Sequence, residues 1–132
     1  MCTTNRDDID FQELGDILRP HLDGRRLFLS ACAMIHPDLA KAIIPQSGCN
    51  SVIGPNENIS FLDAAVLWSS LYHLMFSSNA DAMKRDQLLK FLRQTSKLFQ
   101  VSMSYFSKST STRSGISQDL LTKWCLTAVA VI

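Results

Sequence analysis

Residues 25–54 read RRLFLSACAMIHPDLAKAIIPQSGCNSVIG and decide the fold class of this chain. Two arginines lead into an apolar run from Leu27 to Ala31, and a second apolar run ends at Gly54. The segment between them begins at Pro37, a residue suited to the first turn of a helix. We predict a strand, a crossover helix and a parallel strand, which together form a βαβ unit. The helix is expected over 37–44, with a break at 45–48.

The carboxyl ends of parallel strands are where open sheets hold ligands and reactive groups. Cys32 directly follows the first predicted strand, so chemistry carried out by this chain is expected at this residue. His36 lies four residues later and is the candidate base, although nothing in the spacing requires the two side chains to meet. The alternatives are a buried packing thiol at Cys32, since cysteine is among the most buried residue types, and a helix-start or surface histidine at His36.

The rest of the chain predicts further helices with only one further strand. Asp10 and Ser60 are the expected N-caps of two helices, and Ser60 is followed by Asp63 at capping-box spacing. The remaining predictions are helices over 10–22, 82–99 and from Ser117 onward, a half-exposed strand over 101–106 and a mobile loop over 107–114. The fold class is α/β, a three-layer α-β-α sandwich of flavodoxin-like topology, incomplete with about three strands.

Composition indicates one globular domain over 1–132 with a loose tail over 1–9. Apolar residues make up 46% and charged residues 19% of the chain, which favours a packed core over disorder. Residues 1–63 carry five basic and nine acidic side chains, whereas 64–132 carry eight and three, so charge could steer association. No secretory signal and no apolar run of membrane-spanning length is visible, so we expect a cytoplasmic protein without membrane contact.

Several chemistries are not expected, because their sequence signatures are missing. Four dispersed cysteines favour free thiols over disulfides, and their spacing from histidines does not predict a metal site. No glycine-rich phosphate loop and no zinc-protease or serine-hydrolase motif occurs, so no cofactor is predicted. The basic residues Lys90, Arg93 and Lys97 lie on one predicted helix face without interleaved aromatic residues, so nucleic-acid binding is not expected.

The order LFLSAC, DLAKAII, GCNSVIG and DAAVLWSSLYHL resembles the C-terminal half of caspase-like cysteine peptidases, especially their bacterial CHAT branch. The resemblance covers residues 10–106 and implies that Cys32 occupies the nucleophile position. In that family the catalytic histidine ends the preceding strand in a His-Gly pair. This chain has no such strand and no His-Gly pair.

The resemblance therefore implies a caspase-like domain portion that is not a competent peptidase alone. It would be a structural or interaction module, or half of a site. We expect a protein partner or a second copy to cover the open edge of the strand from Leu27 to Ala31. The alternative is an active cysteine peptidase, a hydrolase of polypeptide substrates, in which Cys32 is the nucleophile and a missing segment or partner supplies the histidine. A flavodoxin-like phosphate- or nucleotide-binding domain is the third hypothesis.

Overall fold

The computed structural model describes residues 8–30, 35–78 and 83–122. Within these ranges the chain forms four α-helices and four β-strands, and a short 3-10 turn continues the first helix. The elements are α1 Phe11–Leu18, β1 Arg26–Phe28, α2 Pro37–Ser47, β2 Ser51–Pro55, α3 Phe61–Ser78, α4 Arg85–Phe99, β3 Met103–Lys108 and β4 Ile116–Leu121. None of the helices in these ranges is long and apolar enough to cross a membrane.

The strands form one mixed sheet in the order β1-β2-β3-β4. β1 and β2 are parallel, with Leu27 opposite Val52, so the βαβ unit predicted from residues 25–54 is confirmed. β2 pairs with β3 and β3 with β4 in antiparallel fashion. In the described part of the chain, β1 and β4 are thus the two edges of the sheet.

Helices cover both faces of this sheet, which confirms the three-layer α-β-α arrangement. On one face α1 and α2 pack over Leu27, Val52 and Phe106. On the other face α3 and α4 pack over Phe28 and Ile53. Alternate strand residues point to opposite faces, so each strand contributes to both cores.

The segment from Ser117 onward was predicted to be a helix, and this prediction is wrong over the residues that the structure describes. Ile116–Leu121 is strand β4, a hairpin partner of β3, and residues 123–132 lie outside the described ranges. Leu120 and Leu121 fit a helical stripe as well as a strand, and periodicity cannot separate the two over so few residues. The strand is favoured by Gly115, whose positive φ of 72° lets the chain turn back on β3.

Two further boundaries differ from expectation. The predicted break at residues 45–48 is helical as far as Ser47, with Pro45 exposed inside α2 and Gly48 ending the helix in the left-handed conformation. The predicted half-exposed strand over 101–106 is the buried strand β3 between β2 and β4. Its serines misled the prediction, because small hydroxyl side chains can be buried when they find partners, as Ser104 does with the Gln118 amide.

The helix starts were better predicted than the helix faces. Asp10 caps α1 by accepting a hydrogen bond from the Glu13 amide at 2.7 Å, and Ser60 accepts one from the Asp63 amide at 3.0 Å. On α3, however, Phe61 and Tyr72 were expected in the core. Phe61 is 91% exposed and Tyr72 is 38% exposed, while Leu67 is fully buried in their place.

Candidate functional site

The predicted reactive end of the sheet lies where β1 and β2 finish. Cys32 and the rest of residues 31–34 lie outside the described ranges, as do Cys2 and Cys125. The residues on either side of 31–34 are placed: Ser30 is exposed after β1, and Ile35 is buried before α2. The position of Cys32 is thus bracketed in the chain, while its role as nucleophile stays a prediction.

Gly54 allows β1 and β2 to approach each other closely at this end. A Cβ atom at Gly54 would lie 2.9 Å from the Leu29 carbonyl oxygen and 3.3 Å from the Leu29 Cβ. The Leu29 amide donates to the Ile53 carbonyl at 2.8 Å, so the pairing continues one residue beyond β1. Position 54, the glycine of the SVIG stretch, therefore requires a residue without a side chain, because any side chain would push the two strand ends apart.

His36 acts as a helix cap in this structure. Its Nδ1 accepts a hydrogen bond from the Asp38 amide at 3.2 Å and lies 3.3 Å from the Asp38 carboxylate. Its ring stacks on Phe11 of α1, with ring centroids 5.9 Å apart. The contacts described for His36 therefore tie it to the start of α2 and to α1, and its catalytic role stays a prediction.

The loop after β2 is held against the beginning of β3. The Asn56 amide donates to the Ser102 carbonyl at 2.9 Å, and the Ser102 amide donates to the Glu57 carboxylate at 3.0 Å. These bonds hold the chain that follows Gly54 against the start of β3. Sequence reasoning did not find Glu57 in this role, since its partner lies 45 residues away.

The outer edge of β1 presents backbone groups that no described strand pairs. The Arg25 carbonyl and the Leu29 amide both bond toward β2. Because alternate residues of a strand direct their backbone groups to opposite sides, the amides of Arg26, Phe28 and Ser30 point to the open side. An apolar strand with an exposed edge is a site for pairing with another strand, and natural proteins usually cover or blunt such edges.

Helix α3 continues this open edge with exposed apolar side chains. Phe28 on β1 contacts Trp68 and Tyr72 edge to face, and Tyr72 stacks on Phe76. Phe76 and Leu62 of the same helix are each 72% exposed, and Val66 is 45% exposed. We call this set, Leu62, Val66, Tyr72 and Phe76, the α3 patch. It lies beside the open edge because Phe28 joins the two.

Cys49 is the free thiol that the structure describes, and it is buried as predicted. Its Sγ donates to the Ser51 carbonyl at 3.3 Å. Burial raises the pKa of the Cys49 thiol above its ordinary value of 9.0, although Ser51, Leu27 and the nearby Arg26 charge act in the opposite direction. The thiol is therefore protonated and unreactive at neutral pH. The described residues hold no group of three His, Cys, Asp or Glu side chains suited to a metal ion.

Comparison with known proteins identifies one structural likeness. No family model matches the chain. No curated protein matches it either. Among solved structures it is similar to a cysteine protease of B. fragilis, with a TM-score of 0.50 and 17% identity. The match covers 81% of this chain and 46% of that protein, so the chain spans about half of the protease's length. The likeness supports a cysteine protease-like α/β fold.

Proposed function

We propose that this chain is the C-terminal half of a caspase-like domain of the CHAT type, and that it is not a competent peptidase by itself. The observation that carries the proposal is the open outer edge of β1, an apolar parallel strand paired on one side in the described chain. The 46% coverage of the B. fragilis protease agrees with a half domain. The occupant of the open edge would be a strand donated by another polypeptide segment, either from a longer chain or from a partner.

The α3 patch supports an occupant larger than a single strand. Neighbouring exposed apolar residues on a soluble protein mark interaction sites, and this patch adjoins the open edge through Phe28. A strand added to β1 and a helix packed on α3 would together extend the three layers by one βα unit. A second copy of the chain is the competing occupant, and it would produce a homo-oligomer.

The chemistry explains why such a half would be inactive. A free thiol has a pKa of about 8.5, so little thiolate is present at neutral pH without a histidine or another positive group nearby. The base must also be positioned to return a proton to the leaving group. The described contacts of His36 are with Asp38 and Phe11, so the catalytic histidine would come from the donated segment.

The reactivity of Cys32 tests the competence of the chain alone. The rate of its alkylation would be measured against pH, with Cys32→Ala to identify the signal and the buried Cys49 as an internal comparison. We expect an ordinary thiol pKa of about 8.5 at Cys32. A pKa near 6 would show an activated nucleophile, and it would favour the alternative of an active cysteine peptidase that cleaves polypeptides.

The open edge is tested separately with Ser30→Pro. Proline at this exposed position removes an amide that points away from β2, so the existing pairing is kept while strand addition is blocked. Sedimentation of the wild-type chain, Ser30→Pro and the control Ser30→Ala would be compared. We expect the wild-type chain to sediment as a monomer, because the proposed occupant is another polypeptide segment. Association that Ser30→Pro alone reduces would instead identify a second copy as the occupant of the β1 edge. Equal association of all three variants would show that the copies meet at another surface.

A further inference from the structure

A second polar feature lies at the opposite end of the sheet from Gly54, where β1 begins. The strand register places Arg26 opposite Ser51, Ser51 opposite Ser107, and Ser107 opposite Ser117. These four residues form one row across all four strands, and we call it the polar row. It occupies the same face as Phe28 and Ile53, which lie two residues further along their strands in the α3–α4 core.

The polar row borders a cleft of about 630 Å³, a volume typical of small-molecule sites. Its charged lining residues are Arg26, Arg85 and Lys108, and the described residues that line it include no carboxylate. Hydroxyl groups complete the lining, among them those of Ser107 and Ser117, whose oxygens lie 3.0 Å apart.

Arg26 is held in the cleft by neutral groups. Its Nη1 donates to the Ser51 hydroxyl and to the Tyr105 hydroxyl, each at 2.9 Å, and its Nη2 donates to the Met83 carbonyl at 2.8 Å. The guanidinium is thus partly buried and fixed in position, while its described acceptors carry no negative charge. A partly buried cation whose described partners are all neutral favours the binding of an anion beside it.

The other two cations are balanced only in part. Arg85 pairs with Asp119 at 2.7 Å and lies 5.8 Å from the centre of the Tyr105 ring. Lys108 is exposed at the end of β3 and forms no ion pair within the described ranges. It alternates with Ser107 and therefore starts on the face of Phe106, so it borders the cleft from the open end of the strand.

Among the described residues that line the cleft, Arg85 is offset by Asp119, and the positive charges of Arg26 and Lys108 remain. The Asp23 carboxylate lies next to Gly48 at the border of the cleft and offsets part of this charge.

We propose that this cleft binds a small, multiply charged anion through phosphate or carboxylate groups. Arg26 would bind one anionic group with its preorganised guanidinium, and Lys108 would attract a second from the rim. The hydroxyls of the polar row would donate to the remaining oxygens. This cleft is separate from the proposed peptidase site near Cys32. It lies at the other end of the sheet and uses none of the residues around Gly54.

A small ligand fits the cleft better than a macromolecule does. Among the residues that line the cleft, Tyr105 is 1% exposed and Ser107 is 8% exposed, so the floor of the cleft is recessed below the surface. The basic residues Lys90, Arg93 and Lys97 lie exposed on helix α4, and none of them lines the cleft. An acidic protein or nucleic acid would be expected to use such an exposed face, and it would depend on those residues more than on Arg26.

Titration calorimetry with pyrophosphate and with citrate tests the proposal on the whole chain. We expect at least one probe to bind with a Kd below about 1 mM, and the stronger probe identifies phosphate or carboxylate chemistry. Lys108→Gln should raise that Kd about tenfold, as the loss of a charge-assisted hydrogen bond predicts. Since Lys108 is exposed, this variant should fold normally.

Lys90→Gln is the matched control, since it removes the same charge from an exposed face outside the cleft. We expect its Kd to stay within about twofold of the wild type. Arg26→Gln should abolish binding, and circular dichroism would check that it folds. Equal losses in Lys108→Gln and Lys90→Gln would show general charge attraction and overturn the proposal. The absence of binding by both probes to the folded wild type would also overturn it.

Discussion

The two edges of the sheet are built in opposite ways. β1 is a short parallel strand of half-buried residues, and its open side adjoins the apolar α3 patch. β4 is a hairpin strand in which exposed positions such as Gln118 alternate with more buried ones. Edges of the second kind are common in free-standing sheets, whereas an apolar parallel edge is normally covered.

This difference indicates which side of the domain is prepared for a neighbour. The β4 side can meet water because its exposed side chains include polar groups. The β1 side exposes backbone amides beside aromatic rings, and both gain free energy when they are covered. We expect substitutions on the two sides to differ in their cost, with the largest effect at Gly54 on the β1 side and the smallest at Asp119 on the β4 side.

The largest effect is expected at Gly54, on the β1 side. Gly54→Ala would place a methyl group 2.9 Å from the Leu29 carbonyl oxygen, so the strand ends must separate. We expect a loss of about 2–3 kcal/mol in the free energy of unfolding, as overpacked sites show. Urea denaturation measures it.

Gly115→Ala is the matched substitution on the β4 side. An added Cβ at Gly115 meets Pro45 at an ordinary 3.6 Å, so the cost there is conformational, from its φ of 72°. We expect about 1 kcal/mol. If Gly54→Ala costs no more than Gly115→Ala, the close approach of β1 and β2 is not a constraint on the fold.

The next effect concerns Cys49, which lies just before β2 in the core on the α1–α2 face of the sheet. Its pKa is raised by burial above 9.0, so above that pH the unfolded chain releases a proton that the folded chain retains. The contribution of Cys49 to the free energy of unfolding should therefore be fully present below pH 9.0 and be lost as the pH rises through 9.0 toward the folded-state pKa. Denaturation at several pH values measures this slope.

Cys49→Ala should cost about 1 kcal/mol at neutral pH, because it leaves a small cavity. It should also flatten the alkaline slope. Burial raises the pKa of Tyr72 as well, so a weaker fall above 10.0 should remain in the variant. An unchanged slope in Cys49→Ala would mean that another group titrates there.

A smaller effect on stability is expected in the α3 patch. Phe76→Ser should change the free energy of unfolding by about 0.5 kcal/mol or less, because the ring is largely exposed. The same variant should bind less of a hydrophobic fluorescent dye. Leu71→Ala, on the fully buried side of α3, is the control and should cost about 3 kcal/mol. Undiminished dye binding by Phe76→Ser would place the accessible apolar surface elsewhere.

The smallest effect is expected on the β4 side, at the ion pair between Asp119 and Arg85. Both side chains are partly exposed, so Asp119→Asn should cost about 0.5 kcal/mol or less. The cost should shrink further at high ionic strength. A double-mutant cycle with Arg85→Gln measures the coupling. A coupling above about 1 kcal/mol would show that the β4 side is fastened more firmly than its exposure suggests.

Much of the fold could be predicted from local patterns. The βαβ unit was visible because its two apolar runs flank a proline-initiated helix, and the caps at Asp10 and Ser60 were visible from their spacing. β4 was missed because its leucines fit the spacing of a helix as well as that of a strand, and only the pairing with β3 decides between the two. The burial of β3 was missed for a related reason, since its serines are satisfied by partners such as Gln118 that the sequence does not identify.

The sites divide in the same way. Cys32 could be selected from the sequence because it follows a predicted strand. The need for glycine at position 54 could not, because it depends on Leu29, which only the fold places beside it. The polar row was invisible, because Arg26, Ser107 and Ser117 come from three separate segments.

The antiparallel pairing of β2 with β3 has a consequence for synthesis of the chain. Pro55 ends β2, and β3 is complete only at Lys108, about fifty residues later. At about 5–20 residues per second, the ribosome needs roughly 3–10 s to make that stretch. During this time β2, later a central strand, has only β1 beside it, and the nascent βαβ unit has two open apolar edges. The period of greatest aggregation risk therefore precedes the appearance of β3, and slower translation between residues 55 and 108 would lengthen it.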